Sequence, residues 1–195
     1  MVAEFASSGM RRSDFARAFL VEPYANQPNG DILRILAAQN GTNISINGAQ
    51  VATLNQGQFY QSYETSPISI AASAPISVAQ YETSEEYQTN NEYGGPPTGT
   101  FLGDPSMTLI PANEQFGGHY TVLIPNSTFP ATYVNVVAPT SSVSGLLMDG
   151  ASLSATFTPI PGQQLFGGTS SGVAGHSLLR WHSPVRSNGH RIWRL

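Results

Sequence analysis

Two short turns constrain this chain more than anything else in it. Asn47-Gly48 and Asp149-Gly150 each interrupt an apolar, β-rich stretch at a single point, and both dipeptides tolerate the positive φ that a type I′ hairpin turn demands at its two central positions. The residues around them correspond as well. Ile35 to Val51 reads ILAAQNGTNISINGAQV, and Val136 to Leu153 reads VVAPTSSVSGLLMDGASL. Each passes from an apolar strand across a small polar stretch into a second apolar strand and then the turn. Self-similarity at a spacing of about a hundred residues speaks for a duplicated β-domain and against a solenoid of short repeats. The expected fold class is all-β, with two similar antiparallel β-sandwich halves, jelly-roll-like, from an internal duplication. The expected divisions are an N-terminal arm at 1–30, a first β-domain at 31–95, a second at 96–168 and an atypical tail at 169–195.

Periodicity supplies the remaining strands. Before residue 31 the only helix-like stretch, Asp14 to Leu20, is too short and uncapped to stand alone, so it reads as a lead-in strand or arm. Strands follow at Ile32–Ala38, Asn43–Ile46, Gln50–Leu54, Phe59–Tyr63, Ile68–Ala71 and Ile76–Tyr81. In PISIAAS and PISVAQY, isoleucine alternates with small residues at a period of two. Pro67 and Pro75 precede those runs, where proline is tolerated as a strand's first residue. After a polar, Gly- and Pro-rich loop at 82–106, strands resume at Met107–Ile110, Tyr120–Ile124, Thr132–Ala138, Val143–Met148 and Ser152–Phe157. Many short strands without a credible helix point to a sandwich or jelly-roll.

Composition narrows the function more than it identifies it. Charged residues make up 10% of the 195, lysine is absent and the formal charge is -4, which argues against nucleic acid because phosphate binding draws on clustered cations. With no cysteine, disulfides, zinc thiolate sites and thiol nucleophiles are ruled out. No apolar run reaches the roughly 20 residues of a membrane helix. The first residues lack the apolar segment of a secretory signal.

The tail has another character. Arg180 to Leu195 holds four of the eight arginines and both tryptophans, the make-up of a basic aromatic patch. A shift of one nucleotide offers a plainer cause. In the next frame both tryptophan codons become glycine codons, and a strand such as PFGVTVIGF becomes possible, the form that APISVAQY at Ala74–Tyr81 leads one to expect. The expectation is that the native frame is lost between about Gly168 and Gly175.

The stretch GDILRILAAQNGTNISINGAQVATLNQGQFYQ, then PISVAQY, GDPSM with PANEQF at Gly103–Met107 and Pro111–Phe116, YVNVVAPTSSVSGLLMDG and FTPIPG together resemble the IgGFc-binding protein N-terminal domain family. The resemblance runs from about Phe19 to Gly162. It implies a bacterial, extracellular-type member: a secreted or surface β-rich module for binding or adhesion, with a protein or glycan ligand, no cofactor and no catalytic residues of its own. It does not imply antibody binding by this chain. A family ending in a strand like GVTVYGFG also favours the frame shift.

Candidate sites remain few. Asp104, Glu114 and His119, with Ser106 nearby, offer paired carboxylates for glycoside or ester hydrolysis, or oxygens for calcium; Asp104 equally suits an Asx turn with Pro105. Tyr87, Glu92 and Tyr93, among Glu82, Glu85, Glu86 and Tyr81, form an acidic aromatic loop that suits a sugar or a partner protein or is a solvated linker. His176, His182 and His190 fit no zinc spacing, and no metal site is expected. Asn40, Asn43 and Asn126 match the glycosylation pattern, which so Asn- and Ser-rich a chain reaches by chance. Phe59, Tyr60, Tyr120, Tyr133 and Phe157 read as core aromatics. An unpaired strand edge in the second half would favour a homo-oligomer. The leading expectation is a non-catalytic extracellular binding module, with a hydrolase using Asp104 and Glu114 as the alternative.

Overall fold

The computed structural model describes residues 15–25, 27–84, 87, 105–117, 119–123, 133–153, 156–163, 165–171 and 176–181. The described chain is all-β. Fourteen strands run in order: β1 Ala16–Val21, β2 Asp31–Ala37, β3 Thr42–Ile46, β4 Ala49–Leu54, β5 Phe59–Glu64, β6 Ile68–Glu82, β7 Ser106–Ile110, β8 His119–Leu123, β9 Tyr133–Pro139, β10 Leu146–Met148, β11 Ala151–Ser152, β12 Thr156–Pro159, β13 Leu165–Ser171 and β14 His176–Trp181. Both opening turns have the expected backbone, with φ of 52° and 84° at Asn47 and Gly48 and of 53° and 85° at Asp149 and Gly150. They close the β3–β4 and β10–β11 hairpins. Asn47 does more than turn the chain, because its side-chain carbonyl accepts the Ser69 N–H at 2.9 Å and ties the hairpin to the start of β6.

The spine of the molecule is β6. The two strands expected at Ile68–Ala71 and Ile76–Tyr81 are one fifteen-residue strand that runs through Pro75. Proline removes a ladder donor, and here it falls where β6 changes partners. The first part of β6 lies between β1 and β3, with Ile70 opposite Phe19 and Ile46; the second lies between β2 and β7, with Val78 opposite Ile35 and Ile110. At the junction the Pro75 carbonyl still accepts the Ala38 N–H at 3.0 Å. The sheet order is β4-β3-β6-β2-β5, with β1 and β7 on the other side of β6. Segment Ala16–Val21, read as lead-in strand or arm, is thus a full member of the sheet. Strand β7 also pairs with β6.

A strand that serves two partner sets must bend, and the sheet curls around one core. Phe19 and Val21 of β1, Leu33 and Ile35 of β2, Ile44 of β3, and Ile68, Ile70, Ile76 and Val78 of β6 all face it. Leu33, Ile35, Ile44, Ile76 and Val78 are fully buried, each contributing on the order of 1.5–3 kcal/mol relative to exposure. Strand β1 is covered on both faces. Its Leu20 points away from that core and joins Phe116, Val137 and Ile160 in a second cluster.

The rest of the described residues form two smaller sheets, β11-β10-β14-β8 and β12-β13-β9. A cluster of Val134, Val136, Ala138 and Leu146 packs between them, with Phe157 and Met148 at its margin. Val143 falls in a 3-10 turn, Thr140–Gly145, rather than in the strand expected there. Side-chain bonds fasten this part to the first sheet. Asn135 donates to the Pro23 carbonyl at 2.8 Å and to the Glu22 carbonyl at 3.3 Å, and Ser69 donates to the Pro161 carbonyl at 2.9 Å.

Candidate binding face and a buried acid cluster

The second half of β6, with β2, β5 and β7, presents two faces whose chemistry is inverted. Register decides which side chains share a face. Across the sheet, Tyr63, Ile32, Tyr81 and Met107 form one row; Gln61, Arg34, Ala79 and Leu109 form the next; Phe59 and Leu36 belong to a third. This is the solvent side. Phe59 is 55% exposed, Tyr63 52%, Tyr87 43% and Met107 40%, which makes it the densest group of exposed large apolar side chains among the described residues. Tyr87, just beyond the end of β6, stacks on Tyr63 with ring centres 6.0 Å apart, and its carbonyl accepts the Asn29 side-chain amide at 2.7 Å.

Arg34 stands at the centre of this face and is held from three sides. Its guanidinium carbon lies 5.3 Å from the Phe59 ring centre and 5.1 Å from that of Tyr81, both within cation–π range. Its Nε–H donates to Gln61 Oε1 at 2.9 Å. By strand parity, no acidic side chain of these four strands faces outward.

The inner side of the same strands carries carboxyls. Asp31, the first residue of β2, is completely buried. Its Oδ2 accepts the Tyr24 N–H at 2.6 Å and the Gln80 side-chain amide at 2.5 Å, while Oδ1 has no partner. The same Gln80 nitrogen donates to the Glu22 carbonyl at 3.0 Å. Glu22 Oε2 is also buried without a partner. Around them, Tyr24 donates its hydroxyl to Thr108 at 2.7 Å, Thr83 donates to Gln27 Oε1 at 3.0 Å, and Ser106 donates to Glu82 Oε2 at 3.1 Å. The group locks the 22–30 loop onto the ends of β6 and β7. Gly30 lets that loop enter β2 at φ +81°, where a Cβ would lie 2.8 Å from the Glu64 carbonyl oxygen.

Burial, and then the Asp31 charge, push the Glu22 carboxyl up to about 7. Burial raises Asp31 to about 6 against the lowering effect of its bonds from Tyr24 and Gln80, and the Glu82 charge raises it further. Such carboxyls hold protons near neutrality because charging them inside the protein costs more than in water. Among the described residues no three carboxylates or imidazoles converge as a metal ion would require.

Of the residues singled out from the sequence, one reaches this face, and the others fall elsewhere or lie outside the described residues. Tyr87 is on the aromatic face; Glu92 and Tyr93 lie outside the described residues. Glu114 is exposed on a 3-10 turn, Asn113–Gln115, and His119 is exposed at the start of β8; Asp104 lies outside the described residues. Of the aromatics expected in the core, Tyr60 packs against it and Phe157 against the cluster of Val134, Val136, Ala138 and Leu146. Phe59 and Tyr133 are corrected to the surface, at 55% and 38% exposure. The ladder pairs Phe59 with Leu36 and Tyr60 with Ile35, so Phe59 turns outward. Arg34 and the buried acids were missed in the sequence. The one signal available was a charge at each parity of DILRIL, Asp31 against Arg34.

The described residues thus form a curled antiparallel sheet with an aromatic, arginine-centred outer face and a buried pair of carboxyls on the inner one. The chain belongs to the IgGFc binding protein family, whose model matches residues 12–178. No curated protein and no solved structure matches it. Among the described residues no helix is long and apolar enough to cross a membrane.

Proposed function

We propose that this chain is a non-catalytic module that binds a protein partner outside the cell or on its surface, through the outer face of β5, β2, β6 and β7. One observation carries this reading: Phe59, Tyr63, Tyr87 and Met107 gather exposed on one sheet face around Arg34. Aromatic residues, methionine and arginine are the types enriched at protein interfaces, where lysine and acidic residues are depleted. The hydrogen-bonded sheet holds them in place before binding, so little ordering cost falls on association. Family membership supports a protein ligand; it leaves open which one.

The test is retention of the chain by an immobilised panel of extracellular proteins that includes an IgG Fc fragment. Phe59→Ser combined with Tyr63→Ser should abolish whatever binding the wild type shows, while Val51→Ser, at an exposed apolar site on β4, should leave it intact. Equal binding by the double variant would overturn the reading. So would turnover of chromogenic glycosides or esters that disappears in Glu114→Gln.

A further inference from the structure

We infer that Arg34 is the anchor for a carboxylate on the partner, an exposed Glu or Asp side chain flanked by an apolar residue. The inference rests on the protein-binding reading and adds the chemistry of the contact. Arginine has five N–H donors in a rigid fork. Gln61 accepts the Nε–H, and no carboxylate among the described residues pairs with the remaining four, which project from an exposed side chain. The two rings flank that fork without using its donors.

Charge complementarity selects the occupant. Arg34 is the only charged side chain that parity turns outward on these four strands, in a chain whose formal charge is -4. The face therefore offers one cation in an apolar surround, and the group that satisfies a guanidinium fork bidentately is a carboxylate. The neighbours favour a peptide over a sugar. A sugar ring calls for several fixed hydrogen-bonding groups, whereas the rows beside Arg34 are Ile32, Leu36, Ala79, Leu109 and rings, with the Gln61 acceptor already engaged. Apolar side chains beside the acidic one would lie on Phe59 and Tyr63. Desolvation by those contacts strengthens the charged pair.

The probes are the synthetic peptides acetyl-Leu-Glu-Tyr-amide and acetyl-Leu-Gln-Tyr-amide, and methyl glucuronide. Each is titrated into the millimolar range against the full chain, with backbone and arginine Nε–H NMR shifts as the readout. The Glu peptide should move the Arg34 Nε–H and the amides of β2, β5 and β6, and bind about tenfold more tightly than its Gln twin. Arg34→Gln should erase that preference. Arg34→Lys, which keeps the charge and loses the fork, should retain only a small part of it. Each variant's melting temperature should match the wild type's, because the side chain is exposed.

Equal affinity for the two peptides, a preference that survives Arg34→Gln, or no shift with any probe would overturn the inference. So would Arg34-dependent shifts from the glucuronide alone, which would make the occupant an acidic sugar. Equal peptide binding that still maps to Phe59 and Tyr63 would remove the carboxylate and leave the binding face standing. Shifts confined to β8–β14 would remove both.

Discussion

Arg34 and Ile35 are neighbours in β2, yet one lies among exposed rings and the other is fully buried. The contrast extends over the whole of this sheet region. Outside are Phe59, Tyr63, Tyr81 and Met107; inside, at the end of the same strands, are Asp31, Gln80 and Glu22. Ordinary patterning would place rings in and acids out. The inversion separates two tasks. Asp31 is held by hydrogen bonds from Tyr24 and Gln80 that fix the 22–30 loop, whereas Phe59, Tyr63 and Met107 stay exposed to solvent around Arg34, which is why the outer face is assigned to binding.

The sharpest way to break this comparison is to truncate both neighbours. Ile35→Ala should lower the unfolding free energy by about 2–5 kcal/mol, and Arg34→Ala should stay within about 0.5 kcal/mol of the wild type, as at an ordinary surface site. Denaturant melts give both numbers. Comparable losses would mean that Arg34 is structural and the faces are not divided in this way. Next in size is Gly30→Ala, where positive φ and the close Glu64 carbonyl should together cost about 2 kcal/mol. Asn47→Ala should cost about 1–2 kcal/mol, from the left-handed turn position and the lost acceptor for Ser69.

The smallest effect is the most diagnostic of the inner face. Glu22 and Asp31 have folded-state values above their ordinary ones, so between about pH 4 and 7 the native state holds more protons than the unfolded chain. Their contribution to stability is fully present below the unfolded values and is lost as pH rises through about 6 and 7. The melting temperature should therefore fall by several degrees between pH 4.5 and 7.5 on their account. Glu22→Gln should flatten that slope and raise the melting temperature at pH 7.5. An unchanged slope would show that Glu22 is solvated like a surface acid.

The hairpins were legible because their signal is local: two residues set two backbone angles, and Asn47-Gly48 and Asp149-Gly150 do so in very different settings. The first joins strands of five and six residues, the second strands of three and two. A turn signal fixes where strands meet but not how far they pair. The uninterrupted β6 was illegible for a related reason, since Pro75 reads as a boundary unless the change of partner strands is known. The binding face was hidden by parity. Phe59, Gln61 and Tyr63 alternate with Tyr60, Ser62 and Glu64, and both sets carry an aromatic, so periodicity marks the two faces without saying which is inward. Only pairing with β2 decides it. The acids were hidden because Glu22 in the β1–β2 loop and Asp31 at the start of β2 are buried by β6, whose Gln80 lies far along the chain.

The central claim is that recognition happens on the outer face of β5, β2, β6 and β7. Amide hydrogen exchange on the full chain, with and without a panel protein that retains it, tests this most directly. The account predicts that protection on binding concentrates in residues 31–37, 59–64, 76–82 and 106–110 and vanishes with Phe59→Ser/Tyr63→Ser. Protection confined to β8–β14, or no retention by any panel member, would contradict it.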